Sequence, residues 1–301
     1  MTKKKPVFST KDMLDWLGYF ADIANLNIER VKIVNICEKM KNVRPMIEIN
    51  KYVLLFDDQS HKDICYFIWE SGLTNCKVLV GHGTQPGGSV EKKAIYELID
   101  ESITEPTVML IENPDAHESF KFGILNENFT RGPINYVGHE IRAVIMNMLS
   151  VEAEDTICIV TGESIVIEAA MIANEGTIIA VETDKGSLQS MNENVDKFGV
   201  HNVEVVEDVK PATMKNLPVP RLAFIVATDQ IEVQIRDLLK VNPHMQFIIY
   251  TLELDMLSDL KHLFEKYHIR RTEVLQINIS KTRRDSMFVQ QPAPWLVSGE
   301  A

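Results

Sequence analysis

The stretch between residues 155 and 184 is the feature that most constrains the fold, because it reads as strand, turn, helix and strand. Thr156–Val160 is a short, largely apolar run, which predicts a buried parallel strand. Ile165–Ala173 has the composition of a helix packed on a sheet, and Gly176–Val181 predicts a second buried strand that ends at Glu182. In nucleotide-binding βαβ units, the first turn meets an anionic group and an acid after the second strand binds ribose hydroxyls. The acid is present, but Gly162 is the single glycine of the turn.

Net charge and cysteine content restrict the partners of the chain. Its 31 Lys and Arg face 43 Asp and Glu, for a formal charge of −12, whereas nucleic acids and anionic membranes bind cationic surfaces. We therefore expect neither as a partner. The four cysteines have no close pairing, which predicts buried free thiols in the cytoplasm. The sequence has no 18-residue apolar segment and no histidines at metal-ligand spacing, so we predict no membrane span and no metal site.

Strand and helix signals alternate along both halves of the chain. Residues 113–132 are polar and poorly periodic, which predicts a linker and two domains, at 1–130 and 131–301. A helix is expected around Val90–Glu101, and strands close the second domain near Thr272–Ile279 and Trp295–Val297. The predicted fold class is α/β: a doubly wound sheet with an antiparallel edge, preceded by a smaller α/β domain.

The second half resembles a known family through motifs that match in order and spacing. It is similar to the methyltransferase domain that carries out the decarboxylating methylation of precorrin in cobalamin biosynthesis, over roughly residues 132–299. This resemblance implies a Rossmann-like class I methyltransferase fold, S-adenosylmethionine as cofactor, a tetrapyrrole substrate and a homo-oligomer. The matching motifs are Glu140–Ala143, Ile167–Ala170, Ala180–Asp184, Asn194–Val200, Asn202–Val206 and Trp295–Gly299.

Residues of about 10–112 resemble the C-terminal half of the tetrapyrrole methylase that is often fused ahead of that domain. The motifs that carry this second resemblance are Leu54–Asp57, Glu70–Leu73, Lys77–Val80 and Val108–Glu112. The resemblance implies a shortened form of the fused, bifunctional precorrin methyltransferase. It also implies that the first domain does not methylate alone.

The cofactor loop departs from the family pattern. In the family, the first strand ends in an acid and leads into three spaced glycines; here the acid corresponds to Ile157 and the glycines to Ile159, Thr161 and Glu163. Glycines at such positions permit positive φ and a close approach of the backbone to a ligand. Glu163 would bring a negative charge near the methionyl carboxylate, a repulsion of about 1–4 kcal/mol at 4 Å for dielectric constants of 80 to 20.

The resemblance implies cofactor and substrate residues but no catalytic residue. Each has an alternative that needs no ligand: a solvated strand-end acid, a tight bend, a rim or core residue, or a solvated hairpin tip. Arginines suit bidentate binding of tetrapyrrole carboxylates. The predicted cofactor-binding residues are Thr161, Gly162, Glu182 and Thr183, and the predicted substrate-binding residues are Tyr250, Glu253, Arg283 and Arg284.

Two functions from different classes stay open at the sequence level. The first is an S-adenosylmethionine-dependent C-methyltransferase that acts on a corrinoid precursor. The second is a non-catalytic relative that has lost cofactor binding and serves as a binding or assembly subunit. The glycine replacements favour the second function, whereas Glu182 and the complete set of fold motifs are compatible with both.

Overall fold

The computed structural model describes residues 7–88, 90–117, 122–132, 137–282 and 288–301. The chain divides into two compact units. The first unit comprises Met1–Lys121 and Val195–His201, and the second comprises Phe122–Asn194 and Asn202–Ala301. The predicted boundary between residues 130 and 131 stays a prediction.

The described residues of the first unit form a five-stranded sheet with helices on both faces. The helices are α1 (Thr10–Ala24), α2 (Val43–Ile49) and α3 (Ile64–Glu70). The strands are β1 (Val31–Asn35), β2 (Tyr52–Asp57), β3 (Lys77–His82), β4 (Lys92–Ala94) and β5 (Thr107–Glu112). Their order is β1-β2-β5-β3-β4, and only the β1–β2 pair is parallel among these described strands.

Alternation along the strands builds two layers of core in the first unit. Leu54 and Phe56 pack with Trp16 and Phe20 of α1 on one face. Val53, next to Leu54, points to the opposite face, where α2 and α3 pack, as expected for a strand with a period of two residues. Helix α1 begins at a capping box, in which Ser9 and Asp12 satisfy each other's backbone N–H groups.

The prediction of a helix around Val90–Glu101 is wrong. Strand β4 pairs antiparallel with β3 in this segment, and Ile95–Glu97 forms a single 3₁₀ turn. Ile95 and Leu98 are nevertheless buried. Their apolar character therefore reflects contact with the core rather than a helical stripe.

The second unit contains a seven-stranded sheet and a separate hairpin among its described residues. The helices are α4 (His139–Leu149), α5 (Glu163–Ile172), α6 (Lys185–Phe198), α7 (Pro211–Met214), α8 (Ile231–Val241) and α9 (Leu254–Lys266). The residues of α6 from Val195 onward belong to the first unit. The strands are β6 (Thr156–Val160), β7 (Thr177–Val181), β8 (Val203–Val206), β9 (Leu222–Val226), β10 (Gln246–Thr251), β11 (Arg270–Gln276), β12 (Ser280–Thr282), β13 (Phe288–Gln290) and β14 (Trp295–Glu300).

Strand order in the large sheet is β11-β14-β10-β9-β6-β7-β8. The five strands from β10 to β8 are parallel, and β14 pairs antiparallel with both β10 and β11. The predicted doubly wound sheet with an antiparallel edge is confirmed. The chain runs outward from β6 to β8, then returns to β9 beside β6 and continues in the other direction. The topological switch point therefore lies between the neighbouring strands β6 and β9, and ligands of such sheets bind at the carboxyl ends of the strands there.

The segment predicted as a linker is anchored more firmly than its polar composition indicates. Asn113 is buried in the first unit and donates to the carbonyl of Ile47. In the second unit, the backbone N–H groups of Gly123 and Ile124 both donate to Glu168. The buried carboxylate of Glu168 thus satisfies two backbone N–H groups of a segment whose regular structure is limited to a 3₁₀ turn at Asn126–Asn128.

Candidate functional site

A cavity of about 530 Å³ lies at the carboxyl ends of the parallel strands in the second unit. We call it the strand-end cavity. The turn after β6 and the ends of β7, β9 and β10 all contribute to its lining, so it lies at the switch point of the sheet. Its apolar side chains are Val137, Ile141, Ile165, Val226, Leu252 and Pro292, and its polar ones include Asn126, Glu163, Ser164, Glu182, Ser187, Tyr250 and Gln291.

Glu182 places a fixed carboxylate in this lining. The residue follows the last residue of β7 and is only 5% exposed. Its Oε1 accepts from the backbone N–H groups of Thr183, at 2.9 Å, and Asp184, at 3.1 Å. Among the described residues, no hydrogen bond engages the second oxygen. A carboxylate held by one oxygen has acceptor capacity left for a ligand's hydroxyl groups.

Ser187, in the first turn of α6, lies in the same wall. Its backbone N–H donates to Asp184 Oδ2 at 2.8 Å, and backbone and hydroxyl together lower the pKa of that carboxyl. The hydroxyl itself is buried and completes no well-aligned hydrogen bond within the described part of the chain. Because the hydroxyl lies close enough to Asp184 to lower the pKa of that carboxyl, it has a neighbour within the fold, and its oxygen keeps acceptor capacity for a ligand.

The turn between β6 and α5 is tight and strained. Thr161 has φ +56°, a left-handed conformation that is uncommon for a β-branched residue. Its N–H donates to the carbonyl of Val181 at 3.1 Å, which holds the turn against β7. A Cβ on Gly162 would lie 2.7 Å from Cγ2 of Ile159, so only glycine fits above that side chain. Ile159 is buried beneath the turn and does not fill the strand-end cavity.

Glu163 is the first residue of α5 and lines the cavity. Its Oε1 accepts a hydrogen bond from Asn194 Nδ2 at 2.7 Å. Asn194 is fully buried. Its Oδ1 accepts from the backbone N–H of Thr130 at 2.7 Å, and its Nδ2 donates to the carbonyl of Thr130 at 3.0 Å. The Glu163 carboxylate therefore has a fixed position at the start of the helix.

A buried ion pair supports the wall behind Ser164. Arg142 of α4 donates from Nε to Glu168 Oε1 of α5 at 2.5 Å, and both side chains are almost completely buried. Nη1 of the same arginine reaches Asn126, the carbonyl of Val137 and the hydroxyl of Ser164, each at 3.1 Å. One guanidinium thus connects α4, α5 and the segment that precedes α4.

The structure brings four of the predicted site residues together: Thr161, Gly162, Glu182 and Tyr250 line the strand-end cavity. Tyr250 lies on β10, and burial raises the pKa of its hydroxyl. Thr183 and Glu253 are exposed and lie outside this lining. The N–H of Thr183 binds Glu182, and Glu253 is the residue before α9. Arg283 and Arg284 fall outside the described residues.

The sequence prediction missed Asn126, Ser164, Ser187 and Gln291 of the lining. Ser187 follows Glu182 by less than two helical turns, so a search of the first turn of α6 could have found it. Asn126 and Gln291 are distant in sequence from the βαβ unit and reach the cavity through the tertiary fold. No local pattern marks them.

Across the described ranges, no three His, Cys, Asp or Glu residues are grouped so as to hold a metal ion. The cysteines are free, as predicted, and burial raises the pKa of Cys158 to about 12. None of the helices in those ranges combines the length and apolarity needed to cross a bilayer.

The arrangement offers hydrogen-bond acceptors to a small molecule that carries hydroxyl groups. Glu163 and Glu182 both belong to the lining of the strand-end cavity, and its described part contains no Lys, Arg or His. Apolar side chains supply surfaces for an aromatic base. Among the lining residues that the structure describes, no two side chains are arranged as a nucleophile and its base.

Comparison with known proteins assigns this region to a family. Residues 135–286 match the family described as a precorrin methyltransferase domain. A search of the curated proteins found no match.

Three solved structures share the fold. A precorrin-6y C5,15-methyltransferase from Geobacter metallireducens is 24% identical, with a TM-score of 0.54 over 59% of this chain and 96% of that one. A precorrin 8w decarboxylase from Methanobacterium thermoautotrophicum is 16% identical, with a TM-score of 0.53 over 59% of this chain and 100% of the decarboxylase chain. The C-terminal domain of precorrin-6Y C5,15-methyltransferase from Rhodobacter capsulatus is 18% identical, with a TM-score of 0.50 over 60% of this chain and 97% of that domain.

Proposed function

The chain belongs to the precorrin methyltransferase domain family, and we propose that its second unit binds S-adenosylmethionine and methylates a carbon of a corrinoid precursor with loss of a carboxyl group. The strand-end cavity is the observation that carries this proposal. Its volume of about 530 Å³ falls in the range of about 300–1,000 Å³ for small-molecule sites. It also lies at the switch point, where nucleotide cofactors bind in doubly wound sheets.

The residues present fit the nucleoside part of this cofactor. Glu182 offers its second carboxylate oxygen and Ser187 a buried hydroxyl without a well-aligned partner, and together they would hold the ribose hydroxyls. Ile141, Val226 and Leu252 would contact the adenine. When bound, S-adenosylmethionine supplies a methyl group activated by the positive sulfur. The backbone of Thr161 and Gly162 would lie beside the methionyl part.

The chain's own contribution to methyl transfer is positioning and exclusion of water. Burial raises the pKa of Tyr250, and its hydroxyl can donate to a substrate oxygen. Arg283 and Arg284 would bind the propionate and acetate groups of the tetrapyrrole, and Thr183 and Glu253 would lie at the rim. Loss of the carboxyl group would follow from the electronic structure of the tetrapyrrole ring, so the lining would need no acid–base pair.

We further propose that the first unit corresponds to the C-terminal half of a fused tetrapyrrole methylase and does not methylate alone. Its motifs, such as Leu54–Asp57 and Val108–Glu112, form adjacent strands β2 and β5 at the centre of a five-stranded sheet. This proposal is supported by the order of these motifs in the sequence.

Calorimetric titration of the full chain with S-adenosylmethionine and S-adenosylhomocysteine tests the proposal. We expect micromolar binding, about −8 kcal/mol. Glu182→Ala should weaken that binding at least about tenfold, because a charged hydrogen-bond acceptor contributes about 1.5–3 kcal/mol. Glu204→Ala is the matched control, since Glu204 is an exposed acid on the adjacent strand β8. Equal weakening by both variants, or none by Glu182→Ala, would remove Glu182 from the cofactor site.

A non-catalytic binding subunit is the second candidate function. The observation in its favour is the cofactor turn, in which Thr161 holds positive φ without being glycine and Glu163 brings a charge into the cavity. An assay of methyl transfer to precorrin substrates separates the two candidates. No binding of S-adenosylmethionine by the folded chain, together with no methyl transfer, would favour the binding subunit.

A further inference from the structure

One guanidinium controls the hydrogen bonding of two groups in the wall of the strand-end cavity. Nη1 of Arg142 lies 3.1 Å from Oδ1 of Asn126 and 3.1 Å from Oγ of Ser164. Asn126 and Ser164 line the cavity, whereas Arg142 is fully buried and is not among the lining residues that the structure describes. Because both groups bind the same nitrogen, they lie side by side. We call Asn126 and Ser164 the donor pair, for the reason that follows.

The direction of these two hydrogen bonds is fixed, because an arginine can only donate. The amide oxygen of Asn126 must therefore face Arg142, which leaves Nδ2 as a donor. Within the described ranges, Nδ2 makes one long contact, of 3.5 Å, with the carbonyl of Val137. The oxygen of Ser164 also accepts from Arg142, and the described residues provide no acceptor for the Ser164 hydroxyl proton. Both members of the pair can thus donate to a ligand.

The guanidinium itself is held in place by its other nitrogens. Nε donates to Glu168 Oε1 at 2.5 Å, and Nη2 donates to the carbonyl of Ile124. A guanidinium is planar and rigid, so these two anchors determine where Nη1 lies. The orientation of the donor pair therefore depends on contacts that lie outside the cavity.

We propose that Arg142 is a positioning residue that makes Asn126 and Ser164 donate into the strand-end cavity, where they bind the carboxylate of the methionyl part of S-adenosylmethionine. The inference rests on the proposed function, since it assumes that the cavity binds this cofactor. It goes further by naming two residues that recognise the carboxylate and the buried residue that orients them. An ionised carboxylate only accepts hydrogen bonds, so a pair of donors is complementary to it.

Glu182 has the opposite polarity and sets the orientation of the ligand. Its second oxygen can accept from ribose hydroxyls at the end of β7, whereas the donor pair can receive an anion. Both belong to the lining of one cavity. A ligand bound in the reverse direction would bring its carboxylate to that of Glu182, where like charges repel.

Glu163 is the neighbour of Ser164 in sequence but directs its carboxylate to another helix. Its Oε1 accepts from Nδ2 of Asn194 in α6, at 2.7 Å. Arg142 is paired in turn with Glu168. The donor pair therefore recognises a carboxylate through directed hydrogen bonds rather than through a free positive charge.

Two ligands that differ in the carboxylate provide the test. The full chain is titrated calorimetrically with S-adenosylmethionine and with its decarboxylated form. We expect S-adenosylmethionine to bind at least about tenfold more tightly, because one hydrogen bond to a charged group is worth about a factor of ten or more in affinity. Equal binding, or tighter binding of the decarboxylated compound, would overturn this inference and leave the proposed function intact. Failure of both compounds to bind the folded chain would overturn both.

Asn126→Asp reverses the polarity of one donor without changing its shape. The side chain still accepts from Arg142, but an oxygen replaces Nδ2. We expect the affinity for S-adenosylmethionine to fall at least about tenfold, while that for the decarboxylated compound does not fall. Asn147→Asp is the matched control, because it makes the same change at an exposed position of α4 outside the described lining. It should change neither affinity, and an equal ratio in both variants would contradict the role of Asn126.

The role of Arg142 is tested without leaving a buried charge by combining Arg142→Met with Glu168→Gln. Loss of orientation should lower the affinity for S-adenosylmethionine at least about tenfold and leave that for the decarboxylated compound within about threefold. Equal weakening of both ligands would show that Arg142 supports the fold and does not orient the donor pair. Thermal unfolding identifies the folded variants. If the double variant does not fold, Arg142→Lys, which keeps a cation for Glu168 but lacks the planar fork, provides the same comparison.

Discussion

The two ends of the seven-stranded sheet differ in how their polar groups are satisfied. At the amino ends of the strands, the guanidinium of Arg221 binds both oxygens of Asp155, at 2.7 and 2.6 Å, and also the side chain of Gln246. The same group donates to the carbonyls of Leu149 and Ser150. At the carboxyl ends, Glu182 has one oxygen engaged by nearby backbone, and Ser187 has a hydroxyl without a well-aligned partner.

Volume does not distinguish these ends. A polar groove of about 570 Å³ lies beside Arg221 and Asp155, compared with about 530 Å³ for the strand-end cavity. The difference lies in unused hydrogen-bonding capacity and in backbone strain at Thr161, both of which concentrate at functional sites. We therefore propose that the amino ends contribute mainly to stability and that the carboxyl ends bind the ligand.

Removal of Arg142 should show how far the carboxyl-end wall depends on one buried ion pair. We expect Arg142→Met to lower the free energy of unfolding by about 3–5 kcal/mol, because it leaves the carboxylate of Glu168 buried and uncompensated. Urea denaturation measures the effect. The double variant, in which Glu168→Gln is added to Arg142→Met, removes that charge and should recover at least about 1 kcal/mol of the free energy of unfolding. A loss below about 1 kcal/mol in the single variant would contradict this assignment.

Acid should weaken the amino ends through Asp155. Burial opposes ionisation of this carboxyl, but hydrogen bonds from Arg221 and from the N–H of Glu152 outweigh burial and lower its pKa. A carboxyl whose pKa is lower in the folded state stabilises the fold above its usual value of 3.8, and the contribution disappears as the pH falls through the lowered pKa. Unfolding measured between pH 6 and pH 2 should show this loss.

The variant Arg221→Leu should remove that acid-dependent contribution and destabilise the fold by about 1 kcal/mol at pH 7, since the arginine is partly exposed. Arg271→Leu is the matched control: Arg271 pairs with Glu300 beside the same groove but is 80% exposed. We expect it to change stability by less than about 0.5 kcal/mol. An unchanged acid profile in Arg221→Leu would show that another carboxyl is responsible.

The sequence predicts the sheet and one carboxylate of the site, but not the contacts that complete it. Strands β6 and β7 follow from continuous apolar runs, and Glu182 follows from its place after a predicted strand. The motifs that contain Arg142 and Glu168 are visible as separate patterns. Their pairing is not, because it depends on how α4 packs against α5.

The conformation of the turn between β6 and α5 cannot be predicted from sequence patterns either. Whether the replacements at the glycine positions fill the cofactor volume depends on where each side chain points. Ile159 lies beneath Gly162, and Asn194 holds Glu163 to one side. The cavity is retained because Gly162 allows the chain to close over Ile159. Only the tertiary arrangement reveals this compensation.

Thr161→Gly gives the smallest and sharpest test of strain at the carboxyl ends. A left-handed conformation at a non-glycine residue costs roughly 1–2 kcal/mol, whereas glycine adds roughly 0.5–1 kcal/mol of unfolded-state entropy. Because φ is +56° and the Thr161 N–H keeps its bond to Val181 in either case, we expect a net gain of about 0.5 kcal/mol in urea denaturation. Thr161→Val keeps the β-branch and should give no gain. A clear loss of stability in Thr161→Gly would mean that the threonine side chain, rather than the shape of the turn, holds this end of the sheet together.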